Sequence, residues 1–261
     1  MAAADEFDGF LVDLDGVVWE GRELVPGSIE ALQALIESGK ELVFVTNNPG
    51  RPPAAYAERL REAGVATADD RVVTAGVATA RLTVERVGVA SGAFVIGAPA
   101  FHETCAEAGL ELLDGERARG AAAVIVSGHR GFDYEELLTA TLALQNGAQL
   151  FATSHDPTLP MPGGNWPGTG SILAAVETAS GAQAEIGGKP EHHLFDQARA
   201  LISNAERVAM VGDRISSDIE GARRAGLATI LVLSGASSRQ EAAAVDPPPD
   251  LVLDDLAALL R

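Results

Sequence analysis

Gly9-Phe10-Leu11-Val12-Asp13-Leu14-Asp15-Gly16-Val17-Val18 decides how the rest of the 261-residue chain is read. Phe10, Leu11 and Val12 have the β-branched and aromatic bias of a short buried strand. The run stops at an Asp-x-Asp-Gly turn, where Gly16 supplies a backbone conformation that residues with a Cβ resist. Two acids therefore sit at a strand's end. In open α/β sheets the carboxyl ends of the strands form the crevice where ligands bind, so an acidic pair placed there is a candidate active site. The same residues also suit a solvated turn, and the stretch alone does not choose between the two.

Working outward, Val17 to Leu24 alternates poorly and contains Gly21, which predicts a short hairpin-like flap over the strand end. A helix is expected over 28–37, with Ile29, Leu32, Leu35 and Ile36 at helical spacing and Gly39 ending it. Glu41-Leu42-Val43-Phe44-Val45-Thr46 reads as a second buried strand that stops at Asn47-Asn48-Pro49-Gly50, with Pro52-Pro53 opening the next helix. Strand, helix, strand, helix implies a parallel sheet with right-handed crossovers. The fold class is thus α/β, a Rossmann-like doubly wound core.

The alternation continues through the middle of the chain. Helices are expected over 75–87, 101–108, 134–145 and 171–180, and strands over 93–97, 121–126 and 149–153, which together form a second α/β unit. Within it, residues 154–168 read as a long Pro/Gly-rich loop of the kind kept for binding. The core pattern then resumes, with Lys189-Pro190 before a helix, a buried strand ending in Gly212-Asp213, a helix through 221–225 and a strand over 228–233. Residues 1–75 and 188–261 are therefore assigned to a core domain and 76–187 to an inserted α/β domain.

The chain carries 37 acids against 19 bases, a net charge of −18, without a long block of one sign. That argues against nucleic-acid binding, which needs Lys and Arg to neutralise phosphates. It leaves small anionic substrates open, because a lysine and a metal reverse the field inside a cleft. The single cysteine, Cys105, forbids an intrachain disulfide and reads as a small core hydrophobe. No run approaches the ~18 apolar residues of a membrane span, and the first residues lack the basic and apolar regions of a signal peptide. A cytoplasmic protein with no membrane partner is expected.

Three buried strands end in polar signals: Asp13 and Asp15, then Thr46 and Asn47, then Asp213 with Asp218 close behind. With Lys189, one crevice could hold a phosphoryl-transfer site. Asp13 and Asp213 are hard oxygen ligands that suit Mg²⁺. Thr46 and Asn47 offer a hydroxyl and an amide to phosphate oxygens, and Lys189 offers positive charge. Taken singly, Thr46-Asn47 also suits a strand exit with a helix cap, and Lys189 a surface lysine.

Their order and spacing resemble the haloacid dehalogenase superfamily, specifically its phosphatase branch with the larger α/β cap, the NagD-like or 4-nitrophenylphosphatase-like group. Asp13-Leu14-Asp15-Gly16-Val17, Val45-Thr46-Asn47-Asn48, Gly188-Lys189-Pro190 and Gly212-Asp213 through Asp218-Ile219 match its four motifs. The resemblance implies Asp13 as nucleophile, forming an aspartyl-phosphate, and Asp15 as general acid and then base. It implies Thr46, Asn47 and Lys189 as phosphate ligands. It also implies Mg²⁺ on Asp13, Asp213 and the Asp15 backbone carbonyl, with Asp218 orienting a neighbour. Halide-displacing members lack the acid at Asp15, so dehalogenation is rejected. His129, Arg130, His155 and Asp156 stand at strand ends of the inserted unit, as specificity residues or as solvated loop residues. Relatives read Asn-Pro-Asp or Asn-Arg-Asp where this chain has Ser154-His155-Asp156, a departure at the specificity loop.

The function expected is hydrolysis of small phosphomonoesters: sugar phosphates, glycerol phosphate, phosphoglycolate, pyridoxal phosphate or nucleoside monophosphates. A phosphosugar mutase and a non-catalytic phospho-ligand-binding protein on the same fold are the alternatives. The resemblance also allows a homodimer through the cap, although no exposed apolar stripe in the sequence marks one.

Overall fold

The computed structural model describes residues 2–161 and 164–261. Strand β1 (Gly9–Asp13) is buried along its whole length, as a strand covered on both faces must be. The chain then turns into a short antiparallel hairpin, β2 (Trp19–Glu20) with β3 (Glu23–Leu24), and enters helix α1 (Ser28–Glu37). Ile29, Leu32 and Leu35 of α1 face the core at the helical period. Strand β4 (Glu41–Thr46), helix α2 (Pro53–Glu62) and the three-residue strand β5 (Val72–Thr74) follow.

The middle of the chain builds helix α3 (Ala75–Val87), strand β6 (Gly92–Ile96), helix α4 (Pro99–Glu107), strand β7 (Glu111–Leu112) and the single turn α5 (Gly115–Ala118). Strand β8 (Ala123–Val126), helix α6 (Tyr134–Gln145) and strand β9 (Gln149–Ala152) come next. Then follow β10 (Thr158–Met161), β11 (Gly164–Pro167), helix α7 (Thr169–Ser180) and β12 (Glu185–Ile186). The last stretch holds helix α8 (His192–Ala200), strand β13 (Val208–Gly212), a π-helical turn Ile215–Ile219 and helix α9 (Glu220–Arg224). Strand β14 (Ala228–Val232), helix α10 (Arg239–Ala244), strand β15 (Leu251–Leu253) and a 3₁₀ turn Leu256–Leu260 complete it.

Two compact units result. One comprises Met1–Thr46, Pro53–Val73 and Lys189–Arg261, the other Asn47–Pro52 and Thr74–Gly188. The first carries a sheet of order β15-β14-β13-β1-β4-β5, with parallel pairing from β15 through β4. From β1 the chain steps outward through β4 to β5, then restarts on the other side of β1 at β13 and steps outward again. The order reverses between β1 and β13, which makes the carboxyl ends of those two strands the topological switch point. Phe10, Val12, Leu14, Trp19, Leu32, Phe44 and Leu60 fill one side of this sheet. Ile215, Ile219, Leu231 and Ala242 form a smaller cluster under the π-helical turn.

The second unit has its own parallel sheet, β12-β9-β8-β6-β7. Alternate residues of β8 feed opposite faces, Val124 and Val126 one core and Ala123 and Ile125 the other, as the period of two requires. Residues 154–168 are not wholly a loop: Thr158–Met161 pairs antiparallel with Gly164–Pro167, Leu159 opposite Trp166. Pro162 and Gly163 of that stretch lie outside the described residues. Prolines mask a strand in sequence, yet a two-stranded ribbon has free edges where a residue lacking an N–H is tolerated. Among the described residues, no helix is long and apolar enough to cross a membrane.

Candidate active site

Asp13 ends β1, and Asp213 follows the last residue of β13, so neighbouring parallel strands deliver both carboxylates to the switch point. Asp218 comes from the π-helical turn that follows, a local widening of the helix that recurs at functional sites. One carboxylate oxygen from each of Asp13, Asp213 and Asp218 lies within 4.8 Å of the others, and all three residues are buried. Lys189, itself only 4% exposed, donates to Asp13 Oδ1 at 2.5 Å and to Asp218 Oδ1 at 2.6 Å. The sequence thus converges from positions 176 residues apart onto one buried ion cluster.

Burial governs the electrostatics. Asp13 is raised well above the ordinary carboxylate range by loss of hydration, with Lys189 opposing the shift and the charges of Asp218 and Asp213 adding to it. Asp213 is raised to about 6 by burial and the neighbouring Asp218 charge, against the N–H of Ala236 that holds its ionised form. Burial works against the Lys189 charge, but Asp13 and Asp218 override it and raise its pKa further, so the ammonium stays protonated.

The backbone supports this cluster closely. Arg214 N donates to Asp218 Oδ2 at 3.0 Å, and Ala236 N donates to Asp213 Oδ2 at 2.7 Å. Gly16 sits at φ +89°, and a Cβ there would stand 2.3 Å from Asp213 Oδ2. A Cβ on Gly212 would stand 2.3 Å from that of Asp218. Glycine at these two positions is what lets the carboxylates approach.

Asp15 is placed differently. It is exposed, and its Oδ1 accepts the indole N–H of buried Trp19 at 3.1 Å. Crowding by protein atoms still raises its pKa, against the Trp19 hydrogen bond and the charges of Lys189 and Arg59. A carboxyl whose pKa is pushed upward, beside a nucleophilic carboxylate, is suited to move a proton. Thr46 is buried at the end of β4, one residue beyond the level of Asp13, which pairs with Val45. Asn47 is the next residue, half-buried and grouped with the second unit.

The four polar residues of the second unit differ in their partners. His129 Nε2 meets Glu136 Oε2 at 3.0 Å, and that carboxylate also accepts the N–H of Asp133 in the capping box of α6. Arg130 lies over the exposed Trp166 ring at 4.2 Å. His155 is exposed, while the carbonyl of Asp156 accepts the N–H of Gly170 at the start of α7. Sequence reading missed the stretch Ser234-Gly235-Ala236-Ser237 after β14. Ser234 Oγ donates to the Gly16 carbonyl, Ala236 holds Asp213, and Ser237 Oγ accepts the N–H of Ile215. Its signal is a cluster of small residues at the carboxyl end of a buried strand, the position where loops carry function. Trp19 and Arg59 were missed as well, because an aromatic in a flap and an arginine on a helix read as packing and surface.

A haloacid dehalogenase-like hydrolase model matches residues 10–111, and a HAD-hydrolase-like model matches residues 186–259. Chronophin of Rattus norvegicus is 38% identical, with 97% of this chain and 87% of that protein covered. Glycerol-3-phosphate phosphatase of Homo sapiens is 36% identical, over 98% of this chain and 90% of that protein. Among solved structures, glycerol phosphate phosphatase from Mycobacterium tuberculosis in complex with magnesium superposes with a TM-score of 0.90 at 33% identity, covering 100% of this chain and 78% of that one.

Proposed function

The chain belongs to the haloacid dehalogenase-like hydrolases, and from that membership we propose that it is a Mg²⁺-dependent phosphatase of small phosphomonoesters, with glycerol phosphate the first substrate to try. The observation that carries the reading is the buried cluster of Asp13, Asp213, Asp218 and Lys189 at the sheet's switch point. Asp13 attacks phosphorus as the bond to the leaving oxygen breaks, and the electron pair departs with that oxygen. Asp15 gives the leaving oxygen its proton, then takes one from the water that splits the aspartyl-phosphate, so that phosphate and the original carboxylate are regenerated. Lys189 holds Asp13 in place and, with Thr46 and Asn47, offers donors to phosphoryl oxygens.

The donor set fits Mg²⁺: hard carboxylate oxygens close together and few in number, which leaves room for retained waters. Asp13 and Asp213, with the Asp15 carbonyl, would hold the ion. Asp218 has both oxygens engaged, by Lys189 and by Arg214 N–H, which supports a positioning role for it. When bound, Mg²⁺ supplies positive charge against the phosphoryl oxygens and the attacking carboxylate.

In this reading the first unit is the catalytic core and the second a cap whose His129, Arg130, His155 and Asp156 bear on specificity, and the reaction runs in the cytoplasm. A homodimer through the cap belongs to the same reading, supported by the exposed Leu159 and Trp166 set side by side on the β10–β11 ribbon. Sedimentation should give a dimer at micromolar protein that Trp166→Glu dissociates; a monomer removes this part. For the activity, phosphate release is measured from glycerol phosphate, phosphoglycolate, pyridoxal phosphate, sugar phosphates and nucleoside monophosphates. Release that needs Mg²⁺, stops with EDTA and vanishes in Asp13→Asn is expected. Silence from folded, Mg²⁺-loaded wild type across the panel would sink the reading.

A further inference from the structure

Trp19 and Arg59 serve no purpose in the reaction so far described, yet they converge on its acid. The Trp19 side chain is fully buried, and a buried indole N–H needs an acceptor. That acceptor is Asp15 Oδ1, a carboxylate four residues away on the exposed side of the same turn. The turn itself is fixed by backbone bonds: Gly16 N donates to the Trp19 carbonyl at 2.7 Å, and the N–H groups of Val18 and Trp19 return to the Leu14 carbonyl. From α2, the Arg59 guanidinium lies 3.9 Å over the Trp19 ring and donates to the Gly21 carbonyl at 2.8 Å, clamping ring and hairpin together.

We propose that Trp19 is the positioning residue of the general acid, its N–H occupying Asp15 Oδ1 so that the catalytic proton resides on Oδ2, with Arg59 holding the indole in place. The inference rests on the phosphatase reading above. A carboxylic acid that accepts a fixed hydrogen bond at one oxygen carries its proton on the other. An immobile indole therefore selects both the oxygen and its direction. Orientation of this kind matters in proportion to how much the leaving group needs the proton. An alkoxide from glycerol phosphate needs it fully; a 4-nitrophenolate departs without it. A ring that merely fills the core would affect both substrates alike.

Trp19→Phe keeps an aromatic ring under Arg59 and removes the donor together with part of the indole's buried volume. We expect kcat/KM on glycerol phosphate, which reports the steps up to departure of the leaving group, to fall about 10- to 100-fold, a part of what general acid catalysis contributes, while kcat/KM on 4-nitrophenyl phosphate changes less than about threefold. In an Asp15→Asn background, adding Trp19→Phe should change nothing further. Equal losses of kcat/KM on the two substrates, or a full Trp19→Phe effect without Asp15, would overturn the proposal. Should Trp19→Phe fail to fold, benzothienylalanine at position 19 keeps the shape of indole without its N–H and must give the same split. A readout independent of turnover is the Trp19 indole N–H resonance of wild type, distinguished from that of Trp166. It should move upfield in Asp15→Ala, and an unmoved resonance refutes the hydrogen bond. A wild type that hydrolyses neither ester while this resonance responds would discard the phosphatase reading and leave the Trp19–Asp15 pairing established.

Discussion

At the scale of single residues, the site consists of charges the fold holds at a cost. Three carboxylates within 4.8 Å of one another are buried around one ammonium, and each ion taken from water loses hydration that its partners only partly return. Two substitutions separate the components by sign. Lys189→Met leaves Asp13, Asp213 and Asp218 facing each other without a cation, and removing one partner of a buried pair costs about 3–5 kcal/mol. Asp13→Asn removes one of the repelling acids, and Asn can still accept from Lys189. In EDTA at neutral pH we expect Lys189→Met to lower the melting temperature by many degrees and Asp13→Asn to leave it equal or higher, though both abolish turnover. Parallel destabilisation would mean that the cluster is held by its ion pairs and not against its own repulsion. The opposite signs follow from the raised pKa of Asp13, whose first cause is burial.

At the scale of elements, the turn after β1 joins two requirements that one residue must satisfy. Gly16 has φ +89°, a region that costs a Cβ-bearing residue about 1–2 kcal/mol, and its missing Cβ leaves the space occupied by the Asp213 carboxylate. Gly16→Ala should therefore lower stability by roughly that amount and weaken Mg²⁺ binding disproportionately, about tenfold or more, because Asp213 must move away from Asp13. Calorimetric titration with Mg²⁺ beside a thermal melt tests this; a stability loss with unchanged affinity would show that Asp213 does not bear on the metal. The same turn explains what the sequence disclosed. Asp13, Gly16, Gly212 and Asp213 were legible because a buried apolar strand that stops at Gly and Asp is unusual chemistry written in adjacent letters. The Ser234–Ser237 stretch, Trp19 and Arg59 were not, since their roles depend on partners far away in the chain or on an orientation periodicity does not encode: Ser234 meets Gly16 across 218 residues. The β10–β11 ribbon was hidden for a third reason, its prolines, which normally exclude strands and are tolerated where there is no neighbour to bond.

At the scale of the molecule, protons and metal compete for the same carboxylates, so stability should depend on pH in opposite ways with and without Mg²⁺. Asp213 is raised to about 6 in the folded protein, above its ordinary value in the unfolded chain. Between roughly pH 4 and 6 the folded state therefore binds a proton that the unfolded state has released. Stability depends on pH as the protons bound by the unfolded state minus those bound by the folded state, a negative difference in this window. The metal-free protein loses stability from this group as pH rises from about 4 to 6, and Asp13, which is shifted the same way, adds to the loss. Mg²⁺ requires the ionised carboxylates, so its stabilising effect, which grows with the logarithm of ligand concentration over its dissociation constant, is suppressed where those protons are bound. Melting temperatures in EDTA and in saturating Mg²⁺ should thus converge near pH 5 and separate steadily above pH 6. A constant Mg²⁺ increment across that range would place the ion away from Asp13 and Asp213. Growth of the increment with pH that persists in Asp218→Asn but is lost in Asp213→Asn would identify Asp213 as the carboxylate at which proton and metal exchange.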